Sequence, residues 1–241
     1  RYIEGMAGLW CAGLGFSERR LAEAAHRQML ELPFYHSFSG KVPEISTLLA
    51  EQVMAVAPEG LARVFFANSG SEANDSAAKL VWYYNNALGR TAKKKIISRK
   101  KAYHGVTVAS GSMTGLAFAH TDWDLPAPRM LHTGTPHYWR EGKPGESEEA
   151  FSARLADELE ALIQAEGPDT IGGFIAEPVM GAGGVLVPPV GYFERVQEVL
   201  ARHDILFIAD EVICGFGRTG QMFGSQTYGI RPDILTCAKM L

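Results

Sequence analysis

The stretch GFIAEPVMGAGGVLVPPVGYFERVQEVLARHDILFIADE, residues 173–211, predicts a strand, a helix and a second strand in that order. The short apolar runs at 173–176 and 205–209 fit strands that are buried on both faces. Between them, apolar residues recur at helical spacing from Tyr192 to Leu200. A strand–helix–strand unit of this kind is typical of a parallel sheet.

The same alternation extends outward along the chain in both directions. Predicted strands lie at 64–67, 96–97, 173–176, 205–209 and 234–236, and predicted helices at 17–32, 44–57, 73–88, 151–163 and 192–200. A glycine-rich segment at 5–15 predicts a strand and a turn, and 119–147 predicts a long irregular loop. The pattern favours an α/β fold with a mostly parallel sheet and helices on both faces.

Composition and charge exclude several classes of partner. The chain has 241 residues, of which 46% are hydrophobic and 21% charged, as in ordinary soluble globular proteins. Its 23 basic and 27 acidic residues give a net charge of −4, and no apolar run approaches the ~20 residues that span a bilayer. We therefore expect no nucleic-acid and no membrane partner. The one dense basic run, at 93–101, flanks a short apolar pair and predicts a solvated strand edge.

The cysteines and the two ends of the chain add further expectations. Cys11, Cys214 and Cys237 are odd in number and widely spaced, so neither a disulfide framework nor a zinc site fits. No histidine pair has metal-binding spacing with a glutamate, and we expect no metal. A reducing, cytoplasmic location follows. Because the chain opens with Arg1 and stops at Leu241, just after a strand-end motif, we expect a piece of a longer protein.

Polar residues with chemical potential follow the predicted strands. In open α/β sheets, ligands bind outside the carboxyl ends of the strands. The groups found there are Asn68 to Ser71, Glu177, Asp210 and Lys239. One rim of the sheet should therefore carry a loop of small residues, two carboxylates and a lysine.

Each of these features has two interpretations. The small residues at 68–71 let the backbone approach a phosphate, with Ser71 capping the next helix, or they form an ordinary junction. An unpaired buried carboxylate is costly, so Asp210 requires either a structural salt bridge or a protonated heteroaromatic nitrogen. Lys239, among apolar neighbours, is either a nucleophile or base, or a side chain that reaches solvent at the edge of the fold.

Five stretches, in this order, resemble the class III aminotransferases, which are pyridoxal-phosphate enzymes of fold type I. They are NSGSEAND (68–75), KAYHG (101–105), AEPVMGAGG (176–184), ADEVICGFGRTG (209–220) and PDILTCAKML (232–241). The last two are the most specific. The resemblance implies that residues 44–241 form the pyridoxal-phosphate-binding large domain and that residues 1–43 are part of the small domain. The family's C-terminal domain would be absent from this chain.

The resemblance implies pyridoxal 5′-phosphate as the cofactor and assigns its main contacts. Lys239 would carry the cofactor covalently and, once displaced by the substrate amine, would move the substrate proton. Asp210 would pair with the ring nitrogen and keep it protonated, which makes the ring an electron sink. Ser69, Gly70 and Ser71 would hold the phosphate.

The family also implies the residues around the ring and the substrate. Tyr103 would stack on one face of the ring, Val212 would pack on the other, and Glu177 would be a polar group near Asp210. The stretches GLWCAGLG and LPFYHSF are similar to amine–pyruvate and ω-amino acid–pyruvate transaminases, in which the tryptophan matching Trp10 and the residue matching Tyr103 line the substrate pocket. Plain core packing would also explain the tryptophan.

The expected reaction transfers an amino group from an ω-amino acid or primary amine to pyruvate or a similar 2-oxo acid. Many 4-aminobutyrate and ornithine members have a glutamate where this chain has Ala182, which argues against those enzymes and for a pyruvate-type acceptor. The family's remaining part supplies a carboxylate-binding arginine and a threonine that reaches the neighbouring subunit. We expect a homodimer, or a dimer of dimers, in the full-length form. Two alternatives stay open: an aminomutase or racemase of the same fold, and an inactive truncated α/β binding module.

Overall fold

The structure, a computed structural model, describes all residues from Arg1 to Leu241. The chain divides into two compact units. The first comprises Arg1–Ala57, Leu61–Phe65 and Met240, and the second comprises Pro58–Gly60, Phe66–Lys239 and Leu241. The predicted boundary at residue 43 between small and large domains stays a prediction. No helix is both long enough and apolar enough to cross a membrane.

The first unit contains three helices and no strand. They are α1 (Ala7–Trp10), α2 (Arg19–Glu31) and α3 (Glu44–Val56). The strand and turn predicted at 5–15 are wrong, because the backbone here forms local hydrogen bonds instead of pairing with a strand. The Trp10 N–H donates to the Met6 carbonyl at 2.9 Å. The helices predicted at 17–32 and 44–57 are confirmed. The side chain of Glu18 caps α2 by accepting from the Arg20 N–H.

The second unit is built on a five-stranded sheet in which every pairing is parallel. The strands are β1 (Lys95–Arg99), β2 (Met130–Thr133), β3 (Ile171–Ala176), β4 (Leu206–Asp210) and β5 (Ile234–Thr236). Their order across the sheet is β2-β1-β3-β4-β5. The predicted α/β class with a parallel sheet is therefore confirmed.

Helices cover both faces of this sheet. They are α4 (Gly70–Ala87), α5 (Val108–Met113), α6 (Tyr138–Glu141), α7 (Glu148–Glu166), α8 (Tyr192–Arg202) and α9 (Gly224–Thr227). Successive strand residues point to opposite faces. Phe174 and Phe207 accordingly pack in the cluster that contains α7 and α8, whereas their neighbours Ile175 and Ile208 pack in the cluster that contains α4 and α5.

Four local predictions fail for identifiable reasons. Residues 64–67 form no strand, because the run pairs with no neighbouring strand, and Phe65 is 74% exposed. The segment 119–147, predicted to be an irregular loop, contains β2. This strand has only four residues, too few for a hydrophobic period to be recognised in the sequence. The basic run is not a solvated edge: β1 is an interior strand, and both Lys93 and Arg99 are buried.

The fourth failure concerns the buried face of α4. The predicted face runs through Ala73, Ala77, Leu80/Val81, Tyr84 and Leu88. Ala77 and Val81 are buried as predicted, but Leu80, Tyr84 and Leu88 are each more than two-fifths exposed. The buried side chains of this helix are Asn74, Ala77, Ala78, Val81 and Asn85. This stripe has helical spacing but begins and ends with an asparagine, so hydrophobicity alone misses it. The shift brings the amide of Asn74 into the interior.

Candidate active site

The carboxyl ends of β1, β3, β4 and β5 meet at one rim, because these neighbouring strands are parallel. Asp210 is the last residue of β4, and Glu177 directly follows β3. Lys239 lies three residues beyond the end of β5. The sequence expectation of two carboxylates and a lysine after the strands of one sheet edge is thereby met in placement.

The loop of small residues at 68–71 reaches the same rim, although no strand precedes it. A Cβ added at Gly70 would lie 2.9 Å from Val212 Cγ2 and 3.7 Å from Ala238 Cβ. The first distance is shorter than real Cβ contacts, so any larger residue at this position would require Val212 to shift. Gly70 thus lies beside Val212, just past Asp210, and beside Ala238, which precedes Lys239.

The N-terminus of α4 is capped by Ser69, whereas the sequence had predicted Ser71 as the cap. Ser69 Oγ accepts from the Glu72 N–H at 3.1 Å, because Ser69 occupies the extended position that precedes the first helical turn. Ser71 lies inside the first turn, and its Oγ accepts from the Val106 N–H at 3.2 Å. The N–H groups of Gly70 and Ser71 have no intrahelical acceptor. Together with the dipole of an 18-residue helix, they can hold an anion.

Asp210 is 3% exposed and accepts three hydrogen bonds. Its Oδ2 lies 2.7 Å from His104 Nδ1 and 2.8 Å from Asn74 Nδ2, and its Oδ1 accepts from the Val212 N–H at 3.1 Å. Hydrogen bonds to a carboxylate stabilise its charged form against desolvation. A cation that approaches this edge of the rim would meet a fixed negative charge.

Glu177 is equally buried and organises the loop that carries Tyr103. Its Oε1 accepts from the Tyr103 N–H at 3.1 Å, and its Oε2 accepts from the Gly181 N–H at 2.8 Å. Arg99 donates to its backbone carbonyl at 2.7 Å. Burial raises the pKa of the Glu177 carboxyl, and the negative charge of Asp210 acts in the same direction. The Glu177 and Asp210 carboxylates are thus close enough to interact electrostatically, while the role of Glu177 beside the cofactor stays a prediction.

The other predicted residues are located as follows. Tyr103 and Val212 are half-buried, on the loops that follow β1 and β4, and Lys239 is half-buried with a φ of +34°. Trp10 belongs to the first unit, where it ends α1 with a φ of +64°. Its place in a substrate pocket, like the stacking of Tyr103 and Val212 on a ring, stays a prediction.

Sequence reasoning missed three polar residues that build this rim: His104, Asn74 and Thr236. Each is buried and hydrogen-bonded within the site. His104 and Asn74 lie inside stretches that had been singled out, KAYHG and NSGSEAND, but only their neighbours received roles. The available signal was the helical spacing of Asn74 with Ala77, Ala78 and Val81, which places an amide on an otherwise apolar face.

Comparison with known proteins gives a consistent result. The profile of the family described as aminotransferase class III matches residues 1–241. A mitochondrial gamma aminobutyrate transaminase of Solanum lycopersicum is 59% identical over the whole chain, which covers 47% of that protein. A solved structure titled "Transaminase with L-ala" has a TM-score of 0.97 and 63% identity, covering 99% of this chain and 56% of that one.

A second solved structure is the omega transaminase from Pseudomonas jessenii in complex with PMP. It has a TM-score of 0.97 and 61% identity and covers 99% of this chain and 52% of its own. The chain spans about half the length of the curated relatives that it matches.

Proposed function

Because the chain belongs to the class III aminotransferase family, we propose that it holds the cofactor in a pyridoxal-phosphate-dependent transaminase. The proposed reaction moves an amino group from an ω-amino acid or primary amine to pyruvate or a similar 2-oxo acid. The observation that carries this proposal is the buried Asp210 carboxylate, which three N–H donors hold at the rim.

The residues present fit pyridoxal phosphate, the cofactor of this family. The cofactor has an anionic phosphate, a planar ring with a basic nitrogen, and an aldehyde. The α4 N-terminus offers the N–H groups of Gly70 and Ser71 to the phosphate, in a cradle that a Cβ at Gly70 would fill. Asp210 provides the anion for the ring nitrogen, and Lys239 provides the amine for the aldehyde.

The proposed mechanism assigns a separate task to each group of the chain. Bound pyridoxal phosphate supplies an electron sink for the carbon that carries the amine. The Asp210 carboxylate would accept a hydrogen bond from the protonated ring nitrogen and so keep that charge in place. The Lys239 amine would hold the cofactor when no substrate is bound. Once the substrate amine has displaced it, it would take the proton from the amine-bearing carbon of the substrate. Glu177 fixes the Tyr103 backbone, which orients the loop that borders the site.

The proposed donor class rests on the similarity to omega transaminases and to a gamma aminobutyrate transaminase. The expectation that Ala182 excludes 4-aminobutyrate is not supported, since the chain is 59% identical to that aminobutyrate enzyme. As 4-aminobutyrate is itself an ω-amino acid, it stands among the proposed donors. Pyruvate as the acceptor is part of the proposal.

The first test concerns the cofactor. We expect the chain to gain a visible absorption band with pyridoxal phosphate, and borohydride to fix the label on Lys239, as located by peptide mass spectrometry. Lys239→Ala should lose the fixed label. Lys79→Ala, a matched change at an exposed lysine of α4, should retain it. A label that is spread over surface lysines, or that persists in Lys239→Ala, would contradict the assignment.

The second test concerns the reaction. Incubation with pyruvate and either 4-aminobutyrate or a primary amine should yield alanine together with the aldehyde or ketone of the donor. An isomerised donor without alanine would replace the proposal with an aminomutase or racemase. A labelled chain that turns over none of these donors would replace it with an inactive binding module.

We also propose that the full-length form is a homodimer located in the cytoplasm. Large exposed apolar side chains on the second unit, such as Trp123 and Trp139, support self-association. The free cysteines support a reducing compartment. Sedimentation analysis and cell fractionation test these two statements, and a monomer or an organellar protein would refute them.

A further inference from the structure

Behind the proposed cofactor site, the His104 and Asn74 side chains both donate to Asp210, and the Thr236 hydroxyl donates to Asn74. We propose that His104, Asn74 and Thr236 are positioning residues that hold the Asp210 carboxylate as an anion in one fixed orientation. This inference rests on the proposed function, since the Asp210 carboxylate is proposed to pair with the ring nitrogen of pyridoxal phosphate. None of the three residues is assigned a direct contact with cofactor or substrate.

The first step concerns how the two carboxylate oxygens are used. Both side-chain donors, His104 Nδ1 and Asn74 Nδ2, lie within 2.8 Å of the same oxygen, Oδ2. The other oxygen, Oδ1, accepts only the Val212 N–H, at 3.1 Å. Two short bonds therefore fix the plane of the carboxylate. Oδ1 is the oxygen that retains acceptor capacity for a protonated ring nitrogen.

The second step concerns the state of His104. Its ring is buried, and Nε2 is a buried atom without a hydrogen-bond partner. An imidazolium would bury an N–H with no acceptor there, whereas the neutral form with a proton on Nδ1 leaves only a lone pair at Nε2. His104 is therefore a neutral donor, and the negative charge stays on Asp210.

The third step concerns the direction of the Asn74 amide. Its Nδ2 donates to Asp210 Oδ2 and, at 2.7 Å, to the His104 carbonyl, while its Oδ1 accepts from Thr236 Oγ1 at 2.7 Å. A flipped amide would place its oxygen against both acceptors. The Thr236 hydroxyl, at the end of β5, thus selects the amide orientation that donates to Asp210.

Variants at Thr236 separate positioning from simple packing. Thr236→Val keeps the shape of the side chain but removes the hydroxyl, so the Asn74 oxygen loses its donor. Thr236→Ser keeps the hydroxyl and is the matched control. His104→Phe removes a direct donor to Asp210 while filling most of the same space.

The readout is the affinity of the chain for two cofactors. One is pyridoxal phosphate, and the other is 1-deazapyridoxal phosphate, which has carbon in place of the ring nitrogen and cannot engage Asp210. A hydrogen bond to a charged group corresponds to roughly tenfold to a hundredfold in affinity. We expect His104→Phe, which removes a donor to Asp210 itself, to lower the preference for pyridoxal phosphate over the analogue by at least about tenfold. Thr236→Val, which removes a neutral bond to Asn74, should lower the preference by a smaller factor. Thr236→Ser should keep this preference.

Equal weakening of both cofactors would show a merely structural role and overturn the inference, as would an unchanged preference in both variants. If His104→Phe fails to fold, the Thr236→Val and Thr236→Ser pair gives the same comparison. Nitrogen NMR of the imidazole in the cofactor-free chain adds an independent test. We expect the neutral Nδ1–H form of His104 at neutral pH, and an imidazolium would contradict the inference. If the parent chain binds neither cofactor, the proposed function fails, while the NMR result still decides this one.

Discussion

Substituting Gly70 by alanine tests whether the α4 N-terminus is built around a close approach. Gly70 has no left-handed φ, so alanine meets no backbone strain there. The added Cβ would instead lie 2.9 Å from one methyl of Val212 and 3.1 Å from the other. Because both methyls are involved, rotating the Val212 side chain exchanges one clash for another. Relief requires a shift of Val212, whose N–H is bonded to Asp210.

The expected change in stability is a difference of two opposing effects. Alanine in place of glycine favours a helix by about 1 kcal/mol, whereas an extra methyl in a filled space costs about 1–3 kcal/mol. The free energy of unfolding of Gly70→Ala should therefore fall by up to about 2 kcal/mol. For a chain of 241 residues, this corresponds to a decrease in Tm of up to about 8 °C.

Thermal unfolding and the Kd of pyridoxal phosphate, measured on the same samples, check this reasoning. The Kd should rise in Gly70→Ala by a larger factor than the stability loss alone would give, because the methyl enters the cradle proposed for the phosphate. The matched control is Gly70→Ala combined with Val212→Ala, which removes both clashing methyls and should recover most of the lost stability. A Tm at or above that of the parent, with an unchanged Kd, would refute the close approach.

Two further predictions concern the buried carboxylates. Asp210→Asn should fold, bind pyridoxal phosphate at least about tenfold more weakly and lose most turnover, since the ring nitrogen loses its anion; turnover at the parent rate would remove Asp210 from its role. Burial raises the pKa of the Glu177 carboxyl. The contribution of this group to the free energy of unfolding is therefore present at acid pH and is lost as the pH rises through the pKa of the folded state. In urea unfolding, Glu177→Gln should show a smaller decline of stability over this pH range. Glu146 is the opposite control, because hydrogen bonding from Arg154 lowers its pKa to about 2, and its contribution is lost as the pH falls. If the free energy of unfolding of the parent and of Glu177→Gln changed with pH in parallel, the raised pKa assigned to Glu177 would be contradicted.

Much of the second unit could be predicted from the sequence because its strands are buried on both faces. Runs such as Phe174-Ile175 and Phe207-Ile208 contain no polar residue, and each is followed by one alanine and then a carboxylate. Parallel pairing then forces the strand ends to one edge, so the placement of Glu177, Asp210 and Lys239 follows from topology alone. The apolar run at 64–67 shows the limit of this reasoning: hydrophobicity marks a potential strand, but pairing requires a neighbour.

The polar interior of the rim could not be predicted in the same way. Asn74 lies on the same buried face of α4 as Ala77 and Val81, but hydrophobicity gives no signal for an amide there, and its partner Thr236 lies 162 residues away in the chain. His104 precedes a glycine on a loop without periodicity. Hydrogen bonds of this kind depend on tertiary distances, which local patterns do not contain. The cap at Ser69 was missed for a smaller reason, since two serines two residues apart satisfy the same sequence rule.

Three buried carboxylates, those of Glu177, Asp210 and Glu211, lie at the ends of β3 and β4, and each accepts hydrogen bonds through both of its oxygens. For Glu177 and Glu211, desolvation raises the pKa and so favours the neutral acid, although each accepts hydrogen bonds that oppose it. Asp210 also has donors on both oxygens, and it differs from the two glutamates in that the side chains of two different residues, His104 and Asn74, donate to it. A fold that needed only a filled interior would gain as much from an apolar residue at this position. Burying three carboxylates side by side makes physical sense if a cation completes the group, and the protonated ring nitrogen of pyridoxal phosphate is the cation that this family supplies.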